Sequence, residues 1–155
     1  MHQPATKRQE WGVISATLTY LAIAAIVTFA GKNEEFMIYL AVLGLVIVAV
    51  VKVHHHAGLS FSLLCGFSFW GVLHMAGGLL PIPESWPVKT PPHVLYNWRI
   101  IPGYLKYDQF VHGYGVALTT WLVWQVLSRR VRSHDGIRLR PTGGMVTLCA
   151  VAGMG

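Results

Sequence analysis

The chain has 155 residues, of which 54% are hydrophobic and 12% are charged, with a mean hydropathy of +0.49 and a formal net charge of +6. Ordinary soluble domains carry roughly 25% charged residues, and a soluble fold of this size leaves about a third of its unfolded surface exposed. So much apolar surface argues against a soluble enzyme and excludes a disordered chain. The composition predicts an integral membrane protein whose main partner is the lipid bilayer.

Runs with few charges predict the membrane-spanning helices. The complete spans are predicted at residues 11–31, 36–53, 59–80 and 108–128. Each is close to the ~20 apolar residues that a helix needs to cross a bilayer. A fifth span, 142–155, stops after about half that length, so we expect the protein to continue beyond Gly155. The expected fold is a single all-α domain, a polytopic transmembrane helical bundle.

Lysine and arginine predict the orientation of the spans. With the N-terminus inside, the inner segments hold eight of these residues and the outer segments hold four. Residues 129–140 alone contain five arginines and one aspartate. This pattern is typical of a cytoplasmic loop rather than of a nucleic-acid surface. We therefore predict a cytoplasmic N-terminus and no nucleic-acid partner.

The segment 81–107 differs in composition from the rest of the chain. It holds six of the eight prolines and five tryptophan or tyrosine side chains. Prolines stop helices and stiffen the backbone, and Trp and Tyr prefer the headgroup level. We expect an outer loop that lies on the membrane, either as an aromatic belt without chemistry or as a lid over a substrate.

Three ionisable residues within the predicted spans are candidates for a functional site. His74 lies about 9 Å below the outer end of the third span, and His112 lies about 6 Å below the outer end of the fourth. Asp108 shares a helix face with His112 at i, i+4. Glycines at 77, 78, 113 and 115 allow close helix approach beside them. We expect the His74 and His112 side chains within about 8 Å of each other.

This cluster admits three interpretations. Two histidines and a carboxylate are a ligand set for zinc or another divalent metal, and a metal with an open position generates a nucleophile from water. The same groups relay protons. The structural interpretation makes Asp108 the first-turn acid of its helix and the histidines interhelical hydrogen-bonding groups.

Two other features are weaker candidates. His54, His55 and His56 are consecutive, so on a helix their side chains point about 100° apart and do not chelate together; we expect a polar helix end or a short loop. Arg99, in the outer loop, is either an interfacial anchor that contacts lipid phosphate or a partner for Asp108 or for an anionic ligand.

Two stretches of the chain resemble a known family. Residues 95–102 and 105–115, with Tyr107, Asp108 and His112, resemble the YjdF-like bacterial inner-membrane proteins. Residues 73–78 are similar to the histidine-glycine segment of that family. The Asp-x-x-x-His helix entry is also similar to that of VanZ-like membrane proteins.

The resemblance implies a multi-pass protein of the bacterial inner membrane, from a family without an established activity. The matching polar positions are His74, Asp108 and His112, with Arg99 as a lesser candidate. Family members continue the last helix and carry acidic residues further along it.

Three functions stay open at this point. The first is a membrane protein with an outer-leaflet metal or proton site, acting in transport or binding. The second is a membrane-embedded, metal-dependent hydrolase of a lipid-linked substrate. The third is a structural subunit whose polar groups only join helices. The sequence predicts neither the substrate nor the oligomeric state.

Overall fold

The structure is a computed structural model that describes residues 3–86, 88, 93–135 and 143–154, and it is mostly helical. The helices are α1 (Lys7–Ala30), α2 (Glu34–Ala57), α3 (Phe61–Leu79), α4 (Tyr107–Asp135) and α5 (Gly143–Met154). Between α3 and α4 lie a 3₁₀ turn (Leu95–Asn97) and two short strands, β1 (Arg99–Ile101) and β2 (Leu105–Lys106).

The helix ends follow from local capping residues. Thr6 and Gln9 form a capping box that starts α1. Asn33 caps α2 by accepting from the Phe36 N–H at 3.1 Å. Gly58 ends α2 in the left-handed region, at φ 60°, where a side chain is disfavoured. Ser60 then caps α3. Because Gly58 and Ser60 are so close, α2 and α3 are joined by a very short turn.

Helix α3 lies between α1 and α4, α2 packs on α1, and α5 packs on α4. One cluster of buried residues joins α1, α2 and α3 through Ala24, Leu43 and Met75. A second joins α3 to α4 through Leu63 and Leu118. The two helices that carry the predicted site are therefore direct neighbours.

Within the described residues, three helices are long and apolar enough to cross a membrane: Lys7–Ala30, Phe36–Ala57 and Phe61–Leu79. Large apolar side chains on them are exposed, as with Leu18 at 61% and Leu45 at 70%. Soluble monomers rarely expose such patches, whereas lipid covers them. The expected count of four complete spans is not confirmed. Helix α4 is long enough, but its His, Thr and Gln side chains lower its apolar content.

The helices extend beyond several predicted ends. Helix α1 begins at Lys7 rather than at 11, because the capping box precedes it. Helix α2 continues through the three histidines to Ala57, and α4 continues to Asp135 rather than ending at 128. Arginine is a good helix former, so the polar run that was predicted as loop 129–140 stays helical at first. Residues 136–142 of that loop lie outside the described residues.

The outer segment contains more regular structure than the sequence predicts. Strands β1 and β2 pair antiparallel, with Arg99 opposite Lys106, around a turn in which Gly103 has φ 82°. An isolated bridge joins Pro81 to Val94. These strands have two or three residues, too few for an alternating pattern to be recognised. They fold the segment back over the ends of α3 and α4.

Candidate functional site

The predicted site residues lie together where α3 ends and α4 begins. The His74 and His112 ring centroids are 5.6 Å apart, with the rings nearly perpendicular. The expectation that these side chains lie within about 8 Å of each other is thus confirmed. Helix packing accounts for the proximity, because the Trp70 indole on α3 donates to the Val111 carbonyl on α4 at 2.9 Å.

Glycines let the surrounding rings approach these helices closely. A Cβ at Gly115 would meet the Trp70 indole at 2.8 Å, and a Cβ at Gly77 would overlap the Tyr96 ring. The prediction of close helix approach is therefore confirmed at Gly115, where α3 contacts α4, and at Gly78, where Phe36 of α2 contacts α3, whereas Gly77 faces the 3₁₀ turn. At Gly113 it is wrong, because a Cβ there would meet nothing within 4 Å.

The side chains of Asp108 and His112 are within hydrogen-bonding distance on the first turns of α4. The His112 Nδ1 lies 3.1 Å from an Asp108 carboxylate oxygen and 2.8 Å from the Asp108 main-chain oxygen. Both oxygens only accept hydrogen bonds, so Nδ1 carries the proton and donates, which leaves Nε2 as the other hydrogen-bonding atom of the ring. The His112 side chain is 64% exposed, which gives this end of the cluster access from outside the bundle.

His74 is held more deeply. Its Nδ1 is hydrogen-bonded to the Tyr96 hydroxyl, and the Trp70 ring packs against it edge-on with centroids 4.5 Å apart. One residue earlier on α3, the Leu73 carbonyl accepts from the Tyr107 hydroxyl at 3.1 Å. The imidazole is thus oriented by an aromatic cage that the helix ends and the outer segment build together.

Tyr96 is the site residue that sequence reasoning missed. It was interpreted only as an interfacial aromatic, yet the 3₁₀ turn places its ring on Gly77 and its hydroxyl on His74. Burial, together with the nearby Asp108 charge, raises the pKa of the Tyr96 phenol well above its ordinary value. Tyr96 therefore stays a neutral hydroxyl that can donate to or accept from His74.

Arg99 lies partly buried on β1. In the described part of the chain, the side-chain partner of Asp108 is His112, so the alternative in which Arg99 pairs with Asp108 is not seen. Nearest-neighbour geometry on α4 explains this, because i, i+4 side chains meet on one helix face.

The described residues do not form a preformed metal centre. Among the residues that the structure describes, no group of three or more His, Cys, Asp or Glu side chains is arranged to hold a metal ion. Each histidine already uses Nδ1, for Tyr96 or for Asp108. The two Nε2 atoms and the second Asp108 carboxylate oxygen remain, and they are not arranged around one point as a metal site requires. The arrangement fits a proton-exchanging cluster better than a preformed metal site.

The three consecutive histidines end α2, and they do not converge. His54 Nε2 lies 3.0 Å from a Glu10 carboxylate oxygen, while its Nδ1 accepts from the Leu59 N–H at 3.0 Å. His56 instead donates back to the Lys52 carbonyl at 2.8 Å. The expectation of a polar helix end is confirmed, and the pairing with Glu10 was not predicted because it joins residues far apart in sequence.

A cavity of about 340 Å³ lies between the two polar ends of the bundle. Its walls come from α1, α2 and α3; they are mostly apolar, and they reach from Glu10 and His54 to Trp70. Midway, Thr17 and Ser68 line the cavity and hydrogen-bond each other at 2.8 Å. Because Trp70 also packs on His74, the cavity ends one side chain away from the histidine cluster.

Comparison with protein families, curated proteins and solved structures finds no match to this chain. The resemblance to YjdF-like proteins therefore stays a prediction from the quoted residues. What can be said of function rests on the chemistry of the side chains described above.

Proposed function

We propose that this protein is an integral, multi-pass protein of the bacterial inner membrane that exchanges protons at the outer end of its helical bundle, as part of a transport activity. In this proposal the helices α1 to α4 cross the membrane and the N-terminus is cytoplasmic. The end that holds His74 and His112 then faces outward.

The observation that carries the proposal is a series of neighbouring side chains that can exchange protons. It runs from Asp108 to His112 at 3.1 Å, from His112 to His74 at 5.6 Å between rings, and from His74 to Tyr96 by a hydrogen bond. Carboxylate, imidazole and phenol are the groups from which membrane proteins build proton relays. If these side chains served only to hold the helices together, one of the three pairs (Asp108–His112, His112–His74 or His74–Tyr96) would be enough.

The difference in exposure between the histidines gives the series a direction. The exposed His112 takes up a proton at Nε2, and the Asp108 carboxylate stabilises the resulting imidazolium. His74, on the next helix and partly buried, is the group that receives it. Beyond Trp70 lies the cavity that leads toward Glu10 and His54. This continuity supports transport over simple binding.

The distribution of basic residues supports the orientation. Lys7, Arg8, Lys52, Arg129 and Arg130 all belong to the end opposite His74. Lysine and arginine are enriched in cytoplasmic segments. The outer end, in contrast, carries the proline- and aromatic-rich segment that suits the headgroup level.

Proton flux into sealed vesicles tests the proposal. The purified protein is reconstituted with a pH-sensitive dye inside, and a potassium diffusion potential drives proton entry. We expect flux above that of protein-free vesicles, and a loss of about tenfold or more in His74→Gln and His112→Gln, as general acid–base groups typically contribute at least 10² to a proton transfer. The matched control is His93→Gln, a histidine of the outer segment outside the series. Equal flux in all variants would contradict the proposal.

A divalent metal site on His74, Asp108 and His112 is the second candidate, favoured by the 5.6 Å separation of the two rings. It requires Asp108 to turn from His112 toward the metal. Elemental analysis of the purified protein separates the two candidates. Stoichiometric metal that is lost in both histidine variants supports the second candidate, whereas flux without bound metal supports the first.

A further inference from the structure

A second cavity, of about 530 Å³, lies at the opposite end of the bundle and is lined by basic side chains from two helices. Helix α2 contributes Lys52 and His56, which share one helix face at i, i+4. Helix α4 contributes Arg129 and Arg130. Two elements far apart in sequence thus bring four nitrogen-bearing side chains to one cavity.

The described lining of this cavity contains basic and apolar residues and no carboxylate. The residues that line the cavity are either these four or the apolar Val53, Ala57 and Val126. Glu10 belongs to the same end of the bundle, but it is paired with His54. The cavity is therefore a local concentration of positive charge beside apolar walls.

The basic side chains are also positioned by main-chain contacts. Arg129 donates to the Ala57 carbonyl at the end of α2, which offsets the negative end of that helix dipole. The His56 Nδ1 donates to the Lys52 carbonyl at 2.8 Å, which leaves Nε2 as the second hydrogen-bonding atom of the ring. Val126 lies one helical turn from Arg130 toward the middle of α4, so the apolar wall begins directly below the charges.

We propose that this cavity, which we call the basic cavity, binds a phosphate group, with Lys52, Arg129 and Arg130 providing the charge. Arginine and lysine bind phosphate oxygens through charge-assisted hydrogen bonds. A lipid headgroup and inorganic phosphate present the same oxygens to these side chains. In the proposed orientation the basic cavity faces the cytoplasmic leaflet, whose anionic lipids attract such clusters.

The test measures lipid binding to the full-length chain in neutral detergent by native mass spectrometry. Dioleoyl phosphatidylglycerol and dioleoyl phosphatidylcholine are titrated in parallel. We expect wild type to prefer phosphatidylglycerol, and the double variant Lys52→Gln/Arg130→Gln to lose that preference by about tenfold, because charge-assisted hydrogen bonds are about twice as strong as neutral ones. Both side chains are solvent-exposed, so the variant keeps the buried contacts of the fold.

Matched variants separate local from general charge effects. Lys7→Gln/Arg8→Gln removes the same charge from the first turn of α1, outside the basic cavity, and keeps the preference. Lys52→Arg/Arg130→Lys conserves the charge and also keeps it. Equal loss in the Lys7/Arg8 variant would overturn the proposal, because the preference would then follow net charge alone.

Inorganic phosphate distinguishes the two sources of the ligand. If excess phosphate leaves bound phosphatidylglycerol in place, the ligand is a lipid headgroup. If excess phosphate displaces the bound phosphatidylglycerol, the ligand is a soluble phosphate. The same conclusion follows if phosphate raises the thermal unfolding midpoint when phosphatidylcholine is the only lipid, provided that the Lys52→Gln/Arg130→Gln variant shows no such rise. The proposal would be overturned if wild type showed no preference for phosphatidylglycerol over phosphatidylcholine and no rise of its unfolding midpoint with phosphate.

Discussion

Tyr96 connects the outer segment to the helices through one hydroxyl and one ring face. Its hydroxyl bonds His74, and its ring occupies the space that the missing side chain of Gly77 leaves. The phenol is half-buried near the Asp108 carboxylate, so folding favours its neutral form. Tyr96 therefore helps to orient His74, together with the Trp70 ring that packs against the imidazole.

This burial predicts an unusual titration. Because the folded-state pKa of Tyr96 is raised, its contribution to stability is fully present below the ordinary phenol pKa of about 10 and is lost as the pH rises beyond it. The phenolate absorbance of wild type minus that of Tyr96→Phe therefore has its midpoint above pH ~10. Tyr104→Phe is the control, since Tyr104 is 86% exposed. A difference curve for Tyr96 that coincides with the Tyr104 curve would contradict its burial.

At the scale of helices, the pairing of α3 with α4 depends on where glycine is placed. Gly115 lies under the Trp70 indole, which also bonds Val111, so the ring cannot move away without losing that bond. Gly113, two residues earlier, faces open space. The two glycines thus have opposite roles on one helix.

Alanine substitutions should reveal this difference. Gly115→Ala is expected to lower the free energy of unfolding by about 1–3 kcal/mol, the typical cost of overpacking. Gly113→Ala is expected to raise it by about 0.5–1 kcal/mol, the gain from replacing a helical glycine. Unfolding in mixed detergent micelles, followed by circular dichroism, measures both. Equal effects of the two substitutions would show that Trp70 does not pack as described.

The sequence predicted the proximity of His74, Asp108 and His112 because helix periodicity and depth fix such positions. It did not predict Tyr96, the Glu10–His54 pair or the β1–β2 hairpin. These depend on contacts between segments 20 or more residues apart, or on strands too short to show a pattern. The sequence predicts that the fourth span ends at residue 128, where the arginines begin, but α4 continues to Asp135. Charged residues mark the boundary of the membrane rather than the end of the helix.

For the whole molecule, the two ends of the bundle differ in chemistry. One end has the histidine cluster beneath an aromatic, proline-rich segment, and the other has the basic cavity and the Glu10–His54 pair. Apolar helices separate them. This difference between the two ends allows a protein to act differently on the two sides of a membrane.

Cysteine labelling checks this orientation in intact cells. In a background in which Cys65 and Cys149 are replaced by serine, Tyr104→Cys is expected to react with a membrane-impermeant maleimide added outside. Ser133→Cys, near the end of α4, is expected to react only after permeabilisation. Labelling of Ser133→Cys from outside, with Tyr104→Cys protected, would reverse the topology. Equal labelling of both from outside would mean that α4 does not cross.

The contact between Ser60 and Gln125 constrains how α3 and α4 move. The Gln125 amide donates to the Ser60 hydroxyl at 2.7 Å and accepts from the Ser60 N–H at 3.0 Å, and both residues are buried. This doubly bonded pair fixes the register of the helices at the end opposite His74, so neither helix slides along the other without breaking it. The Trp70–Val111 hydrogen bond joins the same two helices near His74, so a tilt of α3 about Ser60 that moves His74 away from His112 has to stretch or break this second contact.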